Sequence, residues 1–146
     1  MKPHTRAILE RYDEPGSYEF HSEFDYPEME ARALLVERDL IATGVSTVFE
    51  GEIYNQDASF SIAILLDVDN APGVTSGAAI RFSNFGNLAT VIGQERLPVT
   101  LLAVIGQALR AHGFQAIPAQ DLDCVYDGVM PDACFHSWRA RYFDWI

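Results

Sequence analysis

The stretch Ser59-Phe60-Ser61-Ile62-Ala63-Ile64-Leu65-Leu66-Asp67-Val68 decides the fold. Phe60, Ile62, Ile64, Leu66 and Val68 occupy alternate positions, with Ser59, Ser61, Ala63, Leu65 and Asp67 between them. Successive strand side chains point to opposite faces, so the pattern predicts a half-buried β-strand with its bulkier apolar face inward. Upstream, residues 45–54 are rich in β-branched and aromatic types, and Asn55-Gln56-Asp57 suits a hairpin loop. Downstream, Asp69-Asn70-Ala71-Pro72-Gly73 punctuates a turn. Strands at 77–83 and 88–93 then surround Asn84-Phe85-Gly86-Asn87, where Gly and Asn accept the positive φ of a tight hairpin. Four strands in succession predict an antiparallel meander.

Outside the meander the hydrophobic period changes from 2 to 3.6. Asp25 is an N-cap, Pro27 lies in the first turn where a missing N–H costs nothing, and Glu28 completes an acidic capping box. Met29, Ala33, Val36 and Leu40, with Leu34 and Ile41, recur at helical spacing as far as Gly44, predicting a helix over 27–42. A second helix, over 98–112, carries Leu101, Val104, Ile105, Ala108, Leu109 and His112 as its stripe; Arg110 suits the C-terminal dipole and Gly113 ends it. A short extended piece, 114–117, follows, and the aromatic C-terminal segment from Ser137 to Ile146 reads as a docked final strand. The expected fold is α+β: a four-strand antiparallel meander plus a C-terminal strand, with two principal helices packed on it. Without an internal repeat or linker, residues 1–146 are expected to form one domain.

Charge is unevenly spread. Residues 1–73 hold 15 acids and 5 bases, a net of −10, whereas residues 74–146 hold 6 acids and 5 bases, a net of −1. Lys2 is the sole lysine, which argues against binding nucleic acid through phosphate neutralisation; a basic partner fits better. No run approaches the roughly 20 apolar residues that span a bilayer, and Met1 to Glu10 lacks a signal-peptide core, so the expectation is a cytoplasmic chain with no membrane partner and with Cys124 and Cys134 reduced.

Chemical motifs are sparse. Cys124, Cys134 and His136, with Asp123 or Asp132, match no compact zinc spacing, and Asp67-Val68-Asp69-Asn70 lacks the Gly and distal Glu of a calcium loop. There is neither a nucleophile elbow nor a phosphate-cradling glycine run, so no catalytic residue and no cofactor are assigned. Glu50, Glu52, Asp57 and Asp67 could form a carboxylate pair across strands, but among 21 acids chance pairs are expected. His4, His21 and His136 are scattered, and His112 is read as a helix C-terminal cation.

The distinctive segment runs from Glu10 to Glu30, where eight acids meet Arg11 alone and Tyr12, Tyr18, Phe20, Phe24 and Tyr26 are interleaved. Acids steer a basic partner and rigid aromatics form interface hot spots, which nominates Tyr18, Glu19, Glu23, Phe24 and Asp25 as partner-binding residues. The competing reading makes Tyr18, Phe20 and Phe24 the inward side of a further strand, with the acids on its wet side.

Three segments resemble small bacterial immunity-type proteins encoded beside secreted polymorphic toxins. They are Arg81-Phe82-Ser83-Asn84-Phe85-Gly86-Asn87-Leu88-Ala89-Thr90-Val91, the helix start Leu97-Pro98, and Trp138-Arg139-Ala140-Arg141-Tyr142-Phe143-Asp144-Trp145-Ile146. The resemblance covers the second half of the chain and implies a protein that binds and blocks a cognate toxin; it assigns no binding residues. A small enzyme with an acidic pocket and a structural or adaptor subunit are the alternatives.

Overall fold

A computed structural model describes residues 1–51, 61–67, 77–131 and 134–143. Strands β1 (Ser46–Glu50), β2 (Ile62–Asp67), β3 (Ala78–Phe82) and β4 (Leu88–Ile92) pair antiparallel in sequence order, and β5 (Gln115–Ile117) joins β4 in parallel. The protein is therefore α+β, with a mixed but mainly antiparallel five-stranded sheet. A parallel neighbour needs a crossover rather than a hairpin, and helix α3 (Val99–Ala111) supplies it between β4 and β5.

Register explains the core. Phe49 pairs with Ile64, Ile64 with Ile80, and Ile80 with Val91, so one apolar row crosses four strands on one face. Ile62, Phe82 and Ala89 form the adjacent row. Helix α2 (Tyr26–Ala42) and α3 cover these rows with Met29, Ala33, Val36 and Leu40 from the first and Ile105, Ala108 and Leu109 from the second. The two helices are tied by His112 Nε2, 2.6 Å from Asp39 Oδ2, and this bond holds the Asp39 carboxyl below its usual range. His112 sits at the C-cap of α3, as the sequence predicts, and adds the cross-helix pair.

Several expectations are corrected. Leu34 and Ile41 are exposed, because the stripe that reaches the sheet is only as wide as Met29, Ala33, Val36 and Leu40. Residues 13–25 form a looped connection with no strand. In place of the expected C-terminal strand, residues Trp138–Tyr142 form a short helix, α5, whose N-cap Ser137 accepts from the Ala140 N–H at 3.1 Å. The fifth strand is instead the extended piece at 115–117. A helix the sequence reading did not anticipate, α1 (Pro3–Tyr12), opens the chain with Pro3 in its first turn and buries Thr5 and Leu9. A four-residue helix, α4 (Ala119–Leu122), follows β5.

These additions build a second apolar cluster. Leu9, Phe85, Leu88, Ile117, Leu122, Tyr126, Met130, Trp138, Tyr142 and Phe143 are buried together, so the N-terminal helix and the C-terminal segment meet. The hairpin loop at 55–57, the turn at 69–73, Phe60, Val68, Glu52, Asp57 and Asp132 lie outside the described residues. No helix among the described residues is long and apolar enough to cross a membrane.

Candidate functional site

The loop between α1 and α2 is built from its backbone upward. At its start, the Asp13 carboxylate accepts from Arg141 Nε at 2.9 Å, from the Tyr126 hydroxyl at 2.6 Å and from the Val129 N–H at 2.9 Å. Arg141 is fully buried and lies 4.1 Å from the Phe85 ring centre. Its remaining donors reach the carbonyls of Glu14, at 3.2 Å, and Tyr18, at 3.5 Å. Burial first, and then Asp13, push the Tyr126 phenol up to about 12, so it stays a proton donor to the carboxylate. A Cβ at Gly128 would collide with the Asp13 carboxylate, which is why the 126–130 turn carries glycine there.

One residue later, Glu14 closes the loop. Its carboxylate accepts from the hydroxyls of Ser17 and Ser22, each at 2.6 Å, and from the Ser22 N–H at 2.8 Å. The β3–β4 turn holds the middle: the His21 N–H donates to the Asn84 carbonyl at 3.0 Å and Asn84 Nδ2 donates to the Glu19 carbonyl at 3.2 Å. The carbonyls of Glu14, Tyr18 and Glu19 and the N–H of His21 thus bond to the body of the protein. The side chains do the opposite: Tyr18 is 55% exposed and Phe20 42%, with Glu19 and Glu23 exposed beside them. Phe20, Phe24 and Tyr26 step inward, successive ring centres being 6.2 Å apart, from the surface to the core residue Tyr26.

The Glu14 closure has a definite pH signature. Hydrogen bonds from Ser17 and Ser22 hold its carboxyl down at about 2, against an ordinary 4.5. A carboxyl lowered on folding contributes stability above its unfolded value and loses it as pH falls through its folded value. The protection factor of the Ser22 amide should therefore be constant above about pH 4.5 and decline as pH falls toward about 2. Glu14→Gln should lower it at neutral pH as well, and a Ser22 amide equally protected in that variant would show that the carboxylate does not close the loop.

Where the loop enters α2, a cleft of about 270 Å³ opens between the end of α1, the loop, the first turns of α2 and the β3–β4 turn. Of the five residues nominated from sequence, Glu23, Phe24 and Asp25 line it, whereas Tyr18 and Glu19 lie farther round the loop and do not. Asp25 also caps α2, accepting from the Glu28 N–H at 3.1 Å, as its spacing predicts. The sequence reading missed Tyr12, Arg32, Gly86 and Asn87 on the far walls. Gly86 has φ +67°, and a Cβ there would meet the Tyr12 ring at 2.5 Å, so the turn chemistry legible in the sequence also allows α1 to approach. Arg32 is spoken for on its inner side: Nε donates to the His112 carbonyl at 3.0 Å, one terminal nitrogen to Asn87 Oδ1 at 2.7 Å, and the guanidinium lies 4.4 Å from the Phe114 ring centre. His21 Nδ1 accepts from the Glu23 N–H at 3.2 Å, which fixes the ring on the loop side.

Cys124 and Cys134 are free thiols, Cys124 Sγ accepting from the Met1 ammonium at 3.1 Å, and His136 is exposed. Among the described residues no three His, Cys, Asp or Glu side chains gather as metal ligands. No family model, curated protein or solved structure matches this chain.

Proposed function

We propose that this chain is a binding protein that neutralises a basic protein partner by covering it with the loop from Glu14 to Asp25. The observation that carries this reading is the inward backbone and outward side chains of the loop: Tyr18, Glu19, Phe20 and Glu23 are displayed on a segment whose carbonyls and amides are already bonded to Arg141, Asn84 and Glu14. A surface ordered before association loses little conformational entropy on binding, and exposed rings beside acids are the composition of an interface hot spot. The competing inward-strand reading loses its support, since Tyr18 and Phe20 are exposed. The resemblance of the 81–91, 97–98 and 138–146 segments to immunity-type proteins makes a toxin encoded beside this chain the partner of choice.

The test is to co-express the product of the adjacent gene with and without this protein, scoring survival and complex formation. Survival is expected only when both are present, with association slowing as salt rises, because attraction between exposed charges is screened over about 8–10 Å at physiological ionic strength. Glu19→Lys with Glu23→Lys should lower the on-rate, and Tyr18→Ala should raise the off-rate about tenfold or more. Survival unaffected by this protein, with no complex at micromolar concentration, would sink the inhibitor reading and favour an enzyme using the cleft.

A further inference from the structure

Resting on that reading, we infer that the cleft beside the loop is a socket for a single arginine side chain of the basic partner. Size is the first argument. At about 270 Å³ the cleft falls below the roughly 300–1,000 Å³ of sites that enclose drug-sized ligands, and it suits one extended side chain entering from a docked surface.

Its chemistry is the second. Glu23, Asp25 and Glu28 supply three carboxylates to the lining against the guanidiniums of Arg11 and Arg32, leaving one negative charge unmatched. Asp25 is partly occupied as the helix cap, but Glu23 and Glu28 form no ion pair with any described residue. Arg32 donates to neutral oxygens and lies over a ring, and Arg11 lies 5.6 Å from the Tyr12 ring centre; neither forms an ion pair with those two acids. Apolar surface comes from Phe24 and Met29.

Acidic oxygens beside a ring fit a guanidinium better than an ammonium. The planar group can take a carboxylate through two parallel N–H bonds and lay its weakly hydrated face on an aromatic surface, whereas an ammonium keeps its tightly held water. The −10 excess of residues 1–73, which supply most of the cleft's lining, favours a basic segment over an acidic one. An arginine seated here would lie directly beside the exposed loop, which makes the socket and the loop parts of one contact.

The experiment uses the intact chain and needs no partner. The Met29 methyl and the His21 ring signals are followed by NMR while N-acetyl-arginine methylamide is added, with the lysine and norleucine analogues, sodium acetate and free arginine in parallel. Saturable shifts with the arginine amide in the millimolar range are expected, with the lysine analogue several-fold weaker and norleucine and acetate inert. Glu23→Gln with Glu28→Gln should weaken the arginine amide about tenfold while the protein stays folded, since both side chains are exposed. Equal response to lysine or norleucine, a response to acetate alone, no response at all, or free arginine binding more than tenfold tighter than the amide would each overturn the proposal. The last would mark a free amino-acid site. The socket can fail in this titration while the co-expression complex still forms, and the complex can fail while the titration succeeds.

Discussion

Arg141→Met is expected to destabilise the protein by about 3–5 kcal/mol, the usual cost of removing one partner from a buried ion pair. Arg141 and Asp13 are both sealed from water, their side chains 0% and 1% exposed. The pair need not add net stability compared with apolar residues, but half of it leaves a carboxylate buried without its cation. Combining Asp13→Asn with Arg141→Met should therefore recover part of the loss. The amide oxygen can still accept from Tyr126 and Val129 where Oδ2 does now, and no charge remains. Urea denaturation of the single and double variants reads both effects. A single-variant cost below about 1 kcal/mol, or a double variant no better than the single, would show that the burial of charge is not what matters here. The substitution should also reach the proposed binding surface: the Glu14 and Tyr18 carbonyls lose their donor, so binding to the proposed partner should weaken under conditions where the variant is still folded.

The second large effect is expected at Trp138. Truncating this side chain to Ala should cost about 3–5 kcal/mol, because a fully buried indole leaves both lost transfer energy and a cavity. Its ring centre lies 4.8 Å from that of Tyr126 and 6.0 Å from that of Tyr142, and its Nε1 donates to Asp127 Oδ1 at 3.2 Å. Trp138→Phe keeps most of the area while dropping the indole donor, and should recover much of the loss. Chemical denaturation checks the pair; an Ala variant within about 0.5 kcal/mol of the parent, the range of surface changes, would mean that α5 does not belong to the core.

The sheet and its two covering helices were legible because their signals are local. Alternation in Ile62 to Leu66 and the spacing of Met29, Ala33, Val36 and Leu40 each announce one buried face within a few residues. The Asp25 cap is likewise written within one turn. The helix α5 was not legible, since five residues are too few to display a period, and the aromatic density of Trp138, Tyr142 and Phe143 fits a strand as well as a helix. Only packing separates the two: Trp138 and Tyr142, four apart, stack on one helical face. The strand β5 was visible as extended chain, but its parallel pairing depends on where α3 returns it.

Local pattern thus determined, from sequence alone, which faces are apolar, where α2 and α3 end and which segment concentrates acid and rings. It could not determine whether Tyr18 and Phe20 point in or out. That was decided by Arg141, 128 residues from Asp13, and by Asn84, which bond the loop's backbone from the body of the protein while the Tyr18 and Phe20 side chains face water. Tyr12, Arg32 and Gly86 joined Glu23 and Phe24 for the same reason: a cleft is made of residues that meet only after the chain has closed, and the period of neighbouring residues holds no record of that closure.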